Sequence, residues 1–177
     1  GIGCFSFFTT KNITTTEGGM LTTNNSKYFN YVKKLIAHGI EKNKKFPWKR
    51  EAILPGHNFR MPNHLAALGI SQLKKLEFFN KKRNKIANSY NEFFKKFPNI
   101  IEVQKVPKNI KHSYQMYTLR VKNNLRNSFL NFLNNNKIEA SVHFYPPLHK
   151  QRYLSKFNKK KLKNTEILMN DIITLPM

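Results

Sequence analysis

Lys11 is the residue whose surroundings best suit chemistry. Uncharged residues flank it, whereas most other lysines of the chain lie in clusters. It follows the apolar stretch 3–8, which is predicted to be a short buried strand, so its amine can lose hydration and become nucleophilic. Groups that could accommodate a phosphate ester lie nearby: Ser6, Thr9, Thr10 and Gly18-Gly19. On these residues alone, a solvated lysine and an ordinary glycine turn remain the simpler interpretation.

The elements around Lys11 are predicted to alternate between strands and helices. Residues 20–23 read as a second strand, and Asn24 or Asn25 can cap a helix that reaches about Ala37. Phe29, Val32, Leu35 and Ile36 form the apolar side of that helix. Residues 40–56 are expected to be an irregular connection.

A long helix is predicted to begin at Pro62 and to end before Pro98, over some nine turns, because leucines and aromatic residues recur every three, four or seven positions. Beyond it we expect a strand over 114–121, a short amphipathic helix over 125–133, a strand over 138–144, a helix over about 160–170 and an extended segment, Ile172–Leu175. This alternation favours an α/β fold.

The segment around Lys11 resembles a known family. Ser6-Phe7-Phe8, Lys11-Asn12-Ile13 and Glu17-Gly18-Gly19-Met20 are similar to the cofactor segment of the DegT/StrS-type sugar aminotransferases. The resemblance implies a fold-type-I (aspartate aminotransferase) fold and pyridoxal 5'-phosphate as cofactor. It also implies that Lys11 bonds covalently to the cofactor and that Ser6 binds its phosphate. Some members of this family have histidine in place of the lysine and catalyse dehydration instead, so Lys11 argues against that branch.

Two later blocks match the family in the same order. Gly56-His57-Asn58-Phe59-Arg60-Met61-Pro62-Asn63 resembles the segment before the interdomain helix, which implies that Asn58 reaches a neighbouring subunit's cofactor phosphate. Residues 142–149 resemble a stretch that lines the substrate cleft, with His143 as the sugar contact. Arg60 could approach a phosphate or a substrate carboxylate, and a structural salt bridge is an equal alternative. No metal site is predicted.

The resemblance also predicts the domain organisation. Residues 1–61 would be a remnant of the large cofactor-binding domain, and 62–177 would be the interdomain helix with a small C-terminal domain, truncated at its end. The upstream half, which should supply a ring-stacking aromatic residue and an acid for the pyridine nitrogen, does not precede Gly1. Gln115 stands where many relatives have histidine.

Composition limits the other function classes. The net charge of +23 suggests nucleic acid, but lysines are scattered and arginines number only six, so we expect solvated surface and no specific nucleic-acid partner. No apolar stretch approaches the roughly 18 residues of a membrane helix, so no membrane partner is expected. The single cysteine, Cys4, is expected to be buried and indicates a reducing, cytoplasmic compartment.

The implied activity is transfer of an amino group from glutamate or glutamine to a nucleotide-linked keto-sugar by a homodimer with a shared active site. Such a reaction would serve amino-sugar or cell-surface polysaccharide biosynthesis. A catalytically incomplete fragment or interaction module of the same fold is the alternative, and a basic nucleic-acid-binding protein is a further one.

Overall fold

The computed structural model describes residues 1–157 and 161–177. The packing of the chain divides it into two compact units, Gly1–Glu77 and Phe78–Met177. Both units mix helices and strands, as the sequence predicts. The predicted domain boundary after residue 61 stays a prediction, because the two units are defined by internal packing and not by function.

The first unit begins with an antiparallel hairpin. Strands β1 (Ile2–Ser6) and β2 (Gly19–Thr23) pair so that Ser6 lies opposite Gly19. Both predicted strands are therefore confirmed. The expectation that stretch 3–8 and Cys4 are buried is wrong: Cys4 and the ring of Phe5 are exposed. The cause is that β1 and β2 pair only with each other among the described residues, so little covers the faces of this small sheet.

Helix α1 (Ser26–Leu35) follows β2 and begins at the predicted cap. The side-chain oxygen of Asn25 accepts hydrogen bonds from the backbone N–H groups of Lys27 at 2.9 Å and Tyr28 at 3.3 Å. These are two of the N–H groups that have no partner within the helix itself. The cap thus fixes where α1 starts relative to β2.

Replacing Asn25 by alanine should lower the free energy of unfolding of the first unit by about 1 kcal/mol, because the two N–H groups lose their acceptor. Urea unfolding followed by circular dichroism measures this loss, and hydrogen exchange should quicken at Lys27 and Tyr28. The neighbouring Asn24→Ala change, at an exposed position outside the cap, is the matched control. Equal losses in the two variants would contradict the capping role.

A second small hairpin occupies part of the connection that was expected to be irregular, so that expectation is wrong. Strands β3 (Ile40–Lys42) and β4 (Arg50–Ala52) pair antiparallel. The close crossing of two glycines sets up this pairing. A Cβ on Gly39 would lie 1.8 Å from the carbonyl oxygen of Leu54, and one on Gly56 would lie 1.9 Å from the backbone nitrogen of Gly39.

The predicted nine-turn helix is two helices, α2 (Asn63–Leu73) and α3 (Leu76–Phe94). At the break, the backbone N–H of Lys75 bonds to the carbonyl of Gln72 at 2.9 Å, a tighter turn than the α-helix makes. The expectation of one continuous helix is wrong here because Leu73 and Leu76 keep the apolar spacing across the break. Periodicity alone therefore does not reveal it.

The second unit contains a three-stranded antiparallel sheet in the order β5-β6-β7. Its elements are β5 (Ile101–Val103), β6 (Tyr117–Val121), α4 (Arg126–Asn135), the short 3-10 helices Leu148–Lys150 and Arg152–Phe157, α5 (Lys163–Asp171) and β7 (Ile172–Leu175). The buried core lies on this sheet, where Tyr117 donates a hydrogen bond to Asn91 at 2.7 Å. Burial raises the pKa of the Tyr117 hydroxyl.

Several predictions for this unit need adjustment. The expected strand over 138–144 is wrong, because Ser141 makes only an isolated bridge with Thr174. The strand predicted from 114 begins at Tyr117, and β5 was not predicted at all. The last helix begins at Lys163, while residue 160 of the predicted range lies outside the described residues. Strand β7 is confirmed.

Candidate functional site

Lys11 lies on a loop, residues 7–18, that joins β1 to β2. Backbone hydrogen bonds close the loop: the N–H of Phe7 donates to the carbonyl of Gly18, and the N–H of Thr15 donates to the carbonyl of Phe7, both at 2.9 Å. The N–H of Lys11 donates to the carbonyl of Phe8, also at 2.9 Å. The loop therefore holds the Lys11 backbone in a defined turn next to the strand ends.

Threonine hydroxyls complete this loop. Thr14 donates to the carbonyl of Phe7 at 3.0 Å, Thr15 to that of Glu17 at 2.7 Å, and Thr9 to that of Thr16 at 3.1 Å. The Thr15 side chain is only 1% exposed. The sequence interpretation missed this role of residues 14–16, although a run of three threonines beside a glycine pair is a usable signal for local side-chain to backbone bonding.

The packing around Thr15 explains why positions 18 and 69 are glycine. A Cβ on Gly18 would meet both Thr15 Oγ1 and Met61 Cε at 2.6 Å, and Gly18 has a φ of +148°. A Cβ on Gly69, in α2, would lie 3.0 Å from Thr15 Cγ2. Close packing and the positive φ thus both require glycine at position 18.

Lys11 is half-buried. Across residues 1–157 and 161–177, no carboxylate forms an ion pair with its Nζ atom. Ser6 is exposed at the end of β1, and its Oγ accepts a hydrogen bond from the N–H of Phe8 at 3.4 Å. The lysine therefore lies on the loop, and the serine hydroxyl lies at the strand end where the loop begins.

Asn58 sits on a segment that is bonded to the end of α1. The N–H of His57 donates to the carbonyl of Leu35 at 2.7 Å, and the N–H of Phe59 donates to the carbonyl of Ile36 at 3.0 Å. Asn58 is exposed, and the rings of its neighbours in sequence, His57 and Phe59, stack on each other at 4.7 Å. Backbone hydrogen bonds thus fix the chain on both sides of Asn58.

Asn58 and Arg60 line an open groove of about 860 Å³ in the first unit. Its walls come from the glycine pair, α1 and the start of α2: Glu17, Gly18, Gly19, Met20, Leu21, Phe29, Val32, Lys33, Leu35, Ile36, Asn58, Phe59, Arg60, Met61, Pro62 and Leu65. The groove includes the apolar side of α1, which the sequence predicts. Ser6 adjoins it through its pairing with Gly19, whereas Lys11 does not line it. The structure thus groups Asn58 and Arg60 but gives Lys11 a separate loop environment.

His143 lies in the second unit. Its Nδ1 atom is 3.2 Å from Ser141 Oγ and 3.1 Å from Thr174 Oγ1, and its ring meets Phe144 edge-on at 5.1 Å. Two hydroxyls thus lie within hydrogen-bonding distance of Nδ1, and this geometry does not test a sugar contact. The predicted substrate role of His143 therefore stays a prediction.

His149, the other histidine of the 142–149 block, lies beside Glu166, with Nε2 and Oε1 3.5 Å apart. Within the described ranges, no three His, Cys, Asp or Glu side chains converge as a metal site would require. Lys150 binds the same carboxylate at 2.9 Å, and the Leu162 N–H donates to it at 3.1 Å.

The Lys150 hydrogen bond is the main reason that the pKa of Glu166 lies below its ordinary value. A lowered folded-state pKa means that this contact stabilises α5 above the ordinary pKa of 4.5 and is lost as the pH falls through the lowered value. The protection of the α5 amides against hydrogen exchange, relative to the intrinsic exchange rate at each pH, should therefore fall on acidification through that range. In the Glu166→Gln variant this acid-dependent loss of protection should disappear, and an unchanged pH profile would contradict the contact's role.

None of the helices in the described residues combines the length and apolar character needed to cross a membrane.

Sequence comparison identifies the class of protein to which this α/β fold, the Lys11 loop and the groove belong. Residues 1–177 match the DegT/DnrJ/EryC1/StrS aminotransferase family, and the chain belongs to that family. This confirms the family and fold inferred from the Lys11, Asn58 and His143 blocks. Pyridoxal phosphate is the cofactor of this family, as expected.

Two curated relatives illustrate the similarity. The chain is 35% identical over 175 residues to the UDP-4-amino-4,6-dideoxy-N-acetyl-beta-L-altrosamine transaminase of Helicobacter pylori, covering 97% of this chain and 46% of that protein. It is 33% identical over 168 residues to the spore coat polysaccharide biosynthesis protein SpsC of Bacillus subtilis, covering 89% and 43%.

Among solved structures, the chain resembles Helicobacter pylori PseC, an aminotransferase involved in the biosynthesis of pseudoaminic acid. The TM-score is 0.88 at 32% identity, over 99% of this chain and 47% of PseC. The chain therefore spans about half the length of the relatives it matches.

Proposed function

We propose that the protein containing this chain transfers an amino group from glutamate or glutamine to a keto-sugar attached to a nucleotide. The observation that carries the proposal is Lys11: a half-buried residue on a closed loop, without an ion pair to a carboxylate in the described part of the chain, in a segment that resembles the family's cofactor segment. The sugar-nucleotide transaminase names of the relatives support the substrate class.

The residues present fit pyridoxal phosphate in their chemistry. Lys11 offers the amine that would hold the cofactor covalently, and Ser6, on the adjoining strand end, offers a hydroxyl for its phosphate. When bound, the cofactor supplies an electron sink for the carbon from which a proton is removed. The protein must then supply position and proton transfer.

Lys11 would also carry out the proton transfer. Once its Nζ atom is released as a free amine, it can take the proton from the donor's amino-bearing carbon and later deliver a proton to the sugar carbon that receives the amino group. The closed loop holds the backbone from which this amine would reach the reacting carbons.

The remaining site residues extend the proposal. Asn58 would bind the cofactor phosphate of a second copy, which requires a homodimer with a shared site, and its exposed amide is available for such a contact. Arg60 would contact a substrate phosphate or carboxylate, and His143 a sugar hydroxyl. Residues 1–61 would belong to the large domain, and we propose a cytoplasmic location for the whole protein.

The experiment is a coupled test of binding and turnover. The purified protein is incubated with pyridoxal phosphate and reduced with borohydride, and the modified peptide is mapped by mass spectrometry. It is then supplied with glutamate and a nucleotide-linked keto-sugar, and the amino-sugar product is sought by mass. A label on Lys11 with product supports the proposal, whereas labels scattered over surface lysines without product would refute it.

The second candidate is a catalytically incomplete module of the same fold. For that module, we expect the family fold without cofactor labelling at Lys11. Labelling of Lys11 by this chain alone would exclude it.

A further inference from the structure

The side chains of Thr174 and His143 are in contact inside the second unit. Thr174 lies in β7, and its Oγ1 atom is 3.1 Å from His143 Nδ1. Thr174 is only 8% exposed, and in the part of the chain that the structure describes its hydroxyl has no other hydrogen-bond partner. The second unit itself provides this burial, so the contact does not depend on what else packs against the unit.

The backbone brings the two side chains together. The N–H of Ser141 donates to the carbonyl of Thr174 at 3.1 Å, and the N–H of Thr174 donates to the carbonyl of Ser141 at 2.8 Å. His143 follows two residues later. Beyond it, the Tyr145 ring centroid lies 5.6 Å from the guanidinium carbon of Arg126, a buried residue at the start of α4. The segment that carries His143 is thus anchored on both β7 and α4.

The Thr174 hydroxyl determines which ring nitrogen of His143 carries the proton. A hydroxyl has one proton to donate, and a buried hydroxyl is normally found with that proton in a hydrogen bond. The acceptor within reach is His143 Nδ1, and a ring nitrogen can accept only when it carries no proton itself. In the neutral ring the proton therefore lies on Nε2, which becomes a hydrogen-bond donor.

Ser141 adds a second hydroxyl at the same nitrogen, with Oγ 3.2 Å from Nδ1. Ser141 is exposed, so water can compete for its hydroxyl, whereas Thr174 is buried. Thr174 is therefore the stronger constraint on the ring. Both hydroxyls lie on the Nδ1 side, and none of the described residues forms a hydrogen bond with Nε2.

We propose that Thr174 is a positioning residue: it holds His143 with the proton on Nε2, so that His143 donates a hydrogen bond to an acceptor oxygen of the nucleotide-linked sugar. The substrate named here rests on the proposed function, whereas the tautomer rests on the Thr174 contact alone. The recognised group must have a lone pair, as a hydroxyl, carbonyl or phosphate oxygen does. An ammonium group could not accept from Nε2.

Nitrogen NMR of the whole protein, carrying isotope-labelled histidine, measures the tautomer. The spectrum is recorded without substrate at alkaline pH, where histidine is neutral, and the His143→Gln variant identifies the His143 signals. We expect Nδ1 to show the shift of an unprotonated acceptor nitrogen and Nε2 that of a protonated nitrogen. The opposite pattern would overturn the proposal.

Thr174→Val removes the hydroxyl at nearly constant side-chain volume. The His143 shifts should then move towards the average of the two tautomers, and adding Ser141→Ala should complete the change. Thr174→Ser keeps a hydroxyl and should restore the original shifts. Thr118→Val is the matched control, because Thr118 pairs with Thr174 across the sheet but is not one of the two hydroxyl residues bonded to Nδ1. Equal shifts in the control would overturn the role of Thr174, and circular dichroism checks that each variant folds.

Steady-state kinetics tests the sugar contact. Thr174→Val should raise the KM for the nucleotide-linked keto-sugar about threefold to tenfold, because the donor tautomer is populated for only part of the time and one hydrogen bond is weakened. The kcat and the KM for the amino donor should change by less than about twofold. An unchanged KM for the sugar, or an equal rise for the amino donor, would overturn the proposal.

Failure of the proposed function is distinguishable from failure of this positioning role. Absence of cofactor labelling at Lys11 and of amino-sugar product would refute the proposed function and, with it, the sugar contact. The tautomer of His143 and its dependence on Thr174 are measured without cofactor or substrate.

Discussion

Replacing Lys11 by alanine is expected to abolish covalent attachment of pyridoxal phosphate and to lower transamination by the whole protein at least about 1,000-fold. The substitution removes both the amine that would hold the cofactor and the base that would move the proton, and general acid–base catalysis alone contributes roughly 100- to 10,000-fold. The measurements are the absorbance of the cofactor-loaded protein, borohydride labelling, and the rate of amino-sugar formation.

The matched control for this change is Lys27→Ala, an exposed lysine in the first turn of α1. It should keep the cofactor absorbance, the labelled Lys11 peptide and the rate. Lys11→Arg provides a second test, because it retains the positive charge but cannot act as the nucleophile at neutral pH. If Lys11→Ala kept the cofactor absorbance, or if the label moved with no loss of rate, the role of Lys11 would be refuted.

Gly56→Ala is expected to cause a large loss of stability in the first unit, about 3 kcal/mol, because the added Cβ overpacks the backbone. The added Cβ would lie 1.9 Å from the backbone nitrogen of Gly39 and 2.3 Å from the carbonyl carbon of His38. Backbone atoms cannot rotate away as a side chain can, so the crossing segments must separate. That separation would break the bridge between Ala37 and Asn58.

Urea unfolding followed by circular dichroism measures the loss, and hydrogen exchange at His57 and Phe59 measures the separation of the segments. Gly1→Ala is the control, because its added Cβ would meet no atom within 4 Å. In the whole protein, Gly56→Ala should also weaken cofactor binding by a second copy if Asn58 has its proposed role. Normal stability in Gly56→Ala would contradict the crossing.

Local sequence signals predict the strands β1 and β2, the helix α1 and its cap, because each depends on nearby residues. Asn25 caps α1 through N–H groups two and three positions ahead, and the apolar side of α1 follows from its spacing. The break between α2 and α3 escapes prediction because Leu73 and Leu76 satisfy the helical spacing on either side. The β3–β4 hairpin escapes it because it depends on two glycines that are distant in sequence.

In the candidate site, too, some features could be predicted from the sequence and others could not. Lys11, Ser6 and Asn58 are identified by their resemblance to family segments, and the structure gives their local surroundings without testing their roles. The threonine bonds that close the loop could not be assigned from the sequence, since each hydroxyl had several possible acceptors. Burial of Cys4 was predicted from its apolar neighbours. Apolar composition, however, does not show whether another part of the structure packs against the face of the sheet on which a residue lies.

The exposed β1–β2 hairpin has a consequence for handling this polypeptide. Both strands carry unpaired backbone edges, and Ile2, Phe5, Met20 and Leu21 remain exposed. Such a strand pair is marginal by itself and can template addition of further strands. At the concentrations used for crystallisation or spectroscopy, we therefore expect this polypeptide to self-associate through the edges of the β1–β2 hairpin.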